Sequence, residues 1–535
     1  MRVTLPAIAA MVRAGAVERA WELFVGEGHA DRRGDAATEA VRGRLFKARA
    51  RLTQGREQAQ LFAEAARAYS AANVIDPAPY LAINAATLSL LAQDDSAART
   101  GARQVIAMLD SGSNLADTPY YLAATRAEAA LLLGDQNAAE AAMDQAATHD
   151  PDGWRDRATT IAQLREITAV RGDDATWLIR FAPPASLHFA GHMGLASGGN
   201  LEAQLARQVD ALIAAERIGF AWGALAAGAD IIIAERLLAA GVELHLVLPC
   251  APDTFEGQSV HPAGQQWSAR YRSVLARANS LRLAAADAGA VHDPIATAHA
   301  GELAIGATLL NASELASTCC QLIVTDADGG GRNTARQAAM WPAGAGPQHH
   351  LTVARDAAIE ALFPPERSDP YRALAVHVAI ELDGLSHQVP SDPQSIERQV
   401  LPISRALARM SPHRVRAAPG RWDLVLDDVP EGLATLLDVQ ANCRAAGMPQ
   451  PAIGAHIAIA SLVSDAASGA LVPYGPGMTL ARRLMAMAPS GTILITDALA
   501  VTMAARRVSG LRSELYHTGD DDSAGPVHVL LPGSQ

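Results

Sequence analysis

A chain of 535 residues exceeds what one hydrophobic core supports, so roughly two to four domains are expected. Half of the residues are hydrophobic and 19% are charged, which excludes a disordered chain; with aromatics at 4%, the cores must be built from Ala, Leu, Val and Ile. A net charge of -12 argues against a general binder of nucleic-acid backbones, but not against small nucleotides held by local backbone N–H groups.

Lys47 is the single lysine, so there is no Gly-Lys pair and no Walker-type phosphate loop. The four cysteines, Cys250, Cys319, Cys320 and Cys443, form no CxxC pair and no disulfide framework, and read as buried thiols in a reducing compartment. Met1-Arg2-Val3 runs into a helix bearing Arg13 and Glu18 without a signal-peptide pattern. No apolar run reaches the roughly 18–20 residues that span a bilayer. A cytoplasmic protein without membrane or nucleic-acid partners is expected.

Residues 1–180 read as paired helices. Ile8 to Val12 and Val17 to Phe24, split by Gly15, form one pair. After Asp76, Leu81, Ile83, Ala86, Leu88 and Leu91 recur at helical spacing; a polar turn at Gln93-Asp94-Asp95 precedes Ala98, Ala102, Val105, Ile106 and Leu109. From Asp117 the plan repeats, turning at Gly134-Asp135 and closing at Asp150-Pro151. Helix–turn–helix units of about 34 residues are the tetratricopeptide signature, so these all-α repeats resemble that family and imply a protein partner; an irregular bundle is the alternative.

From Phe181 to Leu362, strand-like runs alternate with helices, which predicts an α/β parallel sheet covered on both faces. Leu187 to Ala190, Phe220 to Trp222, Val242 to Leu248, Gln321 to Thr325 and His349 to Val353 are the strands. Two glycine loops follow strands and open helices: Gly223 to Gly228-Ala229-Asp230, and Gly329-Gly330-Gly331 to Thr334. Such loops let backbone amides approach an anion at a helix N-terminus, although each alone is also an ordinary βα turn. Asp230 and Thr334 are each either a helix cap or a ligand contact.

Leu187 to Met193 and these two loops resemble the SLOG superfamily of Rossmann-like nucleotide sensors and nucleotide-cleaving enzymes. The resemblance implies a nucleotide-derived ligand touching Gly191, His192, Gly223, Gly228, Asp230, Gly330, Gly331 and Thr334. The enzymes carry an acid just after a Gly-Thr turn; here Thr334 is followed by Ala335, Arg336 and Gln337, which favours binding over cleavage. His261, His292 and His299 lack metal-ligand spacing, and no metal site is expected.

After a linker-like Leu362 to Pro370, strands Ala373–Ile380, Trp422–Leu426, Ala452–Ala460 and Thr492–Thr496 are separated by helices near Pro393–Met410, Pro430–Ala445 and Met478–Met487. This order suits an α+β ferredoxin-like palm. Val378 to Ser386, Trp422 to Asp428, Tyr474 to Leu484 and Ala488 to Thr496 resemble class III adenylate/guanylate cyclases over residues 371–535. In that family two carboxylates hold two divalent ions. Aligned on Gly384-Leu385-Ser386, the first falls on Glu381, with Asp383 on the same strand face as a shifted alternative. The second falls on Gly420, the transition-state Asn on Thr479, and its partner Arg is kept as Arg483. The resemblance implies a degenerate site that forms a homodimer.

The reading expected is a nucleotide-sensing, bacterial-type signalling protein with protein-binding repeats and a pseudo-cyclase dimerisation domain, requiring no cofactor. An active cyclase using Mg or Mn, a nucleotide-cleaving enzyme, or an interaction scaffold are the alternatives.

Overall fold

The computed structural model describes residues 4–13, 15–112, 117–285, 293–329, 331–363, 368–382, 400–401, 403, 405, 407, 415–418, 420–464, 471–517 and 525–533. Gly330, Asp383 and Gly384 to Ser386 lie outside them. The chain divides into two compact units, one built on Met1–Pro183 and the other on Pro184–Ser313, Ser317–Ser513 and Thr518–Gln535.

The first unit is helical: α1 (Leu5–Arg13), α2 (Val17–Gly26), α3 (Ala36–Ala50), α4 (Gly55–Ile75), α5 (Pro79–Leu91), α6 (Asp95–Ser111), α7 (Pro119–Leu133), α8 (Gln136–His149) and α9 (Trp154–Arg171). The expected pairs are α1 with α2, α5 with α6 and α7 with α8; α3 with α4 adds one that the periodicity did not announce. Gly134, at φ +86°, ends α7, and the Asp135 carboxylate then accepts from Ala138 N to cap α8. Asp94 caps α6 in the same way through Ala97 N. Small residues set the helix separation. A Cβ on Gly101 of α6 would lie 2.9 Å from the Ala86 Cβ of α5.

The second unit begins with alternating strands and helices: β1 (Ala185–Gly191), α10 (Asn200–Glu216), β2 (Ile218–Gly223), α11 (Ala229–Ala239), β3 (Glu243–Leu248), α12 (Pro252–Ser259), α13 (Gln265–Leu275), β4 (Ser280–Leu283), α14 (Pro294–Glu314), β5 (Cys319–Thr325), α15 (Arg332–Met340), β6 (Gln348–Thr352) and α16 (Ala357–Glu360). All six strands are parallel, in the order β4-β3-β2-β1-β5-β6. Burial on both faces explains the continuous apolar runs of β1 and β5. The winding direction reverses between β1 and β5, where a doubly wound sheet opens a crevice at its carboxyl edge.

The unit continues with β7 (Arg372–Glu381), β8 (Val415–Ala418), β9 (Arg421–Leu426), α17 (Val429–Ala445), β10 (Ala452–Ser464), β11 (Leu471–Tyr474), α18 (Gly477–Met487), β12 (Ile493–Thr496), α19 (Asp497–Arg506), β13 (Leu511–His517) and β14 (Val527–Pro532). The second sheet runs β13-β14-β12-β10-β7-β9-β8, with β11 beside β10. β7 lies antiparallel between β9 and β10, as the palm reading requires. β10 and β12 are parallel, because α18 carries the chain back across the sheet. α19, β13 and β14 were not foreseen.

Both sheets belong to one unit, joined by close packing and charge. Phe363, expected in a linker, is buried in the first sheet's core. A Cβ on Gly306 of α14 would collide with the Val501 carbonyl of α19, so those helices meet backbone to backbone. Arg506 of α19 donates to both Glu302 oxygens at 3.0 and 3.1 Å. Asp497 accepts from Arg282 of β4 and lies 3.1 Å from His528 Nε2.

Candidate functional site

A cavity of about 240 Å³ lies at the carboxyl edge of the parallel sheet, over the point where the winding reverses. Ala190 and Gly191 at the end of β1, Val247 of β3 and Pro249 just after it, Phe255 and Ser259 of α12, one face of α14 and the first turn of α15 enclose it. Gly191, His192, Asp230, Gly331 and Thr334, expected from the exit of β1 and from two glycine loops, therefore stand on one wall system. Gly223 and Gly228 do not line it.

These two glycines have packing tasks instead. A Cβ on Gly223 would sit 2.6 Å from the Phe189 ring, and Gly228, at φ +96°, would put one 2.9 Å from the His192 carbonyl. Ala229 N donates to that same carbonyl, so the loop before α11 lies against the exit of β1. Gly191 is required for the same approach, since its Cβ would fall 2.3 Å from that of Ala229.

Asp230 fixes this crossing. Its Oδ1 accepts from Gly191 N at 2.8 Å and its Oδ2 from Ala226 N at 3.3 Å. The start of α11 carries no side-chain cap, and both donors lie outside that helix, so Asp230 ties its loop to the exit of β1. Burial pushes its pKa up to about 7, against the pull of the two N–H donors.

The start of α15, like that of α11, has a glycine N-cap. Gly331 is its N-cap and supplies no side chain, so the first-turn N–H groups carry no side-chain cap. Asn333 Oδ1 is buried on the cavity wall without a partner among the described residues. Thr334 is buried in the first turn of the helix and lines the cavity.

His192 presents its Nε2 to the Val353 carbonyl at 3.0 Å, which leaves Nδ1 as an acceptor without a partner among the described residues. Desolvation lowers its pKa and keeps the ring neutral.

Sequence reading missed two parts of the site. One is the α14 wall, where Ala296, Ala300 and Ala304 recur every fourth residue; that small-residue stripe was the available signal. The other is a buried amide network. Gln321 Nε2 donates to His188 Nδ1 at 2.9 Å, and His188 Nε2 donates to Gln337 Oε1 at 3.0 Å, which orients the cavity-lining Gln337. Burial drives the His188 pKa down to about 3.

In the second sheet, Glu381 ends β7 directly opposite Arg421 of β9, whose guanidinium donates to its Oε1 at 2.8 Å. A protein cation therefore faces the carboxylate expected to hold a metal. Asp423, two residues along, receives the Arg482 guanidinium. Gly420, where the second metal ligand was expected, is a turn residue at φ +71°, and its carbonyl accepts from Leu382 N. Arg483 is exposed on α18, and Thr479 is exposed at its start.

Residues 6–89 match the family model described as Tetratricopeptide Repeats-Sensor. That span begins before the repeats most legible in the sequence. No curated protein sequence matches the chain. Solved structures with similarity include the adenylyl cyclase CyaB from P. aeruginosa, at 12% identity over 31% of this chain and 96% of its own, with a TM-score of 0.25. An adenylate/guanylate cyclase/hydrolase from Silicibacter pomeroyi aligns at 22% identity over 30% of this chain and 95% of its own, with a TM-score of 0.23. A Trypanosoma brucei adenylate cyclase aligns at 12% identity over 30% and 88%, with a TM-score of 0.25. Among the described residues, no helix is long and apolar enough to cross a membrane.

Proposed function

We propose that the chain is a nucleotide-sensing regulatory protein. Its cavity takes a nucleotide or nucleotide-derived molecule, its helical repeats hold a protein partner, and its C-terminal region is a dimerising pseudo-cyclase without turnover. The observation that carries this reading is the cavity at the β1/β5 reversal, where five separately expected residues converge. The phosphate end faces the start of α15, whose first turn lines the cavity with Gly331 and Thr334, whereas Gly228 at the start of α11 is off its wall. The base lies against Phe255, Val247 and the alanines of α14. Asp293 lines the same cavity and contacts Arg372, the first residue of β7, so occupancy bears on the second sheet.

The absence of turnover is supported by the Arg421–Glu381 pair and by the turn geometry of Gly420. The test is thermal melting of the whole protein against nucleotides, NAD, and cyclic mono- and dinucleotides. A ligand at 100 times its dissociation constant stabilises by about 2.7 kcal/mol. Ala300→Phe fills the cavity from α14 and should abolish the shift; a panel without any shift overturns the reading in favour of a scaffold.

A further inference from the structure

A second cluster lies at the opposite, amino-terminal edge of the parallel sheet. Cys320 is the second residue of β5, His349 the second of β6, and Glu216 the last of α10. Cys320, Leu322 and Val324 share one face of β5, packed with Leu205, Val209 and Ile213 of α10. The register sets Leu322 beside His349, which puts His349 on that face too. One thiol, one imidazole nitrogen and one carboxylate oxygen lie within 4.8 Å of one another.

We propose that Glu216, Cys320 and His349 bind one zinc-class divalent cation. The donor set decides the class. A thiolate with an imidazole selects zinc over magnesium or calcium, and the carboxylate completes a three-residue set that leaves a fourth tetrahedral position to water. Zinc bonds of about 2.0–2.3 Å place neighbouring ligand atoms roughly 3.3–3.8 Å apart, inside the observed spread. A plain ion pair accounts for the cluster less well. His349 Nε2 comes within 3.1 Å of Glu216 Oε1, yet this buried nitrogen makes no hydrogen bond among the described residues. The Cys320 thiol beside it belongs to neither partner of such a pair. On binding, the thiol gives its proton to solvent and the cation takes its place. The bound ion ties the end of α10 to the edge strand β6. Sequence reading passed over this site because the ligands share no local spacing.

Full-length protein, stripped with a chelator, is titrated with Co²⁺ and then with Zn²⁺. One equivalent of Co²⁺ should give a sulfur-to-cobalt charge-transfer band in the near ultraviolet, and Zn²⁺ should displace it. Cys320→Ser should abolish the band and Cys319→Ser should keep it. His349→Gln, at a partly exposed position, should weaken binding without unfolding the chain, which its metal-free melting curve checks. A missing band in wild-type protein, or one that survives Cys320→Ser, overturns the proposal. The outcome is independent of whether the cavity binds a nucleotide.

Discussion

Arg372 Nε lies 2.9 Å from Asp293 Oδ2, with the two side chains 14% and 8% exposed. Asp293 stands on the cavity wall, and its other oxygen accepts from Ile295 N at the start of α14. Removing one member of such a pair strands a buried charge and costs about 3–5 kcal/mol. Arg372→Met and Asp293→Asn should therefore each lower the urea midpoint strongly, while the double variant should lose less than the sum of the two. Additive losses would show that the pair is not coupled.

Acid should destabilise the protein well above the carboxylate range. Burial lowers the pKa to about 3 for His188 and about 4 for His245, His377 and His456, from an ordinary 6.5. A histidine whose folded value is depressed leaves stability intact above pH 6.5. That stability drains away as pH falls toward 4, because the unfolded chain takes up protons first. Asp230 works in the opposite sense, since its raised value favours folding below pH 3.8 and the advantage is lost by about pH 7. Four histidines outweigh it, so the melting temperature should fall between pH 7 and pH 5. His377→Leu, which removes a ring whose two buried nitrogens have no partner among the described residues, should flatten that slope.

Asp230→Ala should cost about 1–3 kcal/mol, because Gly191 N and Ala226 N lose their acceptor. The crossing of the β2–α11 loop over the exit of β1 should loosen with it. Hydrogen exchange at Gly191 and Ala226 should accelerate more than exchange in β6; uniform acceleration would contradict the local role.

Incubation with Mn²⁺ and each of the four nucleoside triphosphates should yield no cyclic product by mass spectrometry, and Glu381→Ala should change nothing. Product formation that Glu381→Ala removes would make the C-terminal region an active cyclase despite the Arg421 contact.

The legible parts of the molecule were those where one face of an element is buried and the pattern is strict. β1, β5, β7, α17 and α18 fall within a residue or two of their sequence assignments. β4 was missed because Ser280 to Leu283 is an edge strand with little burial to impose alternation. In the cavity, glycines and Asp230 drew attention to two loops, yet the loops differ in what they offer: Asp230 ties the first to the exit of β1, and the second puts Gly331 and Thr334 on the cavity wall. That difference depends on contacts between residues 39 positions apart. The His188–Gln321–Gln337 chain was hidden for the same reason, since isolated polar residues in apolar strands announce burial but not their partners.

The backbone contact of Gly306 with Val501 sets how this protein can be inherited or re-engineered. Any side chain at position 306 would push two helices apart, so the α14 and α19 surfaces are matched to one another. A recombinant that exchanges one of the two sheets for a homologous cassette inherits a helix shaped for a neighbour it no longer has. Cutting between Leu362 and Arg372 strips α14 of α19 and takes Arg506 from Glu302 and Arg372 from Asp293 together. The two sheets should therefore travel through evolution as one heritable block.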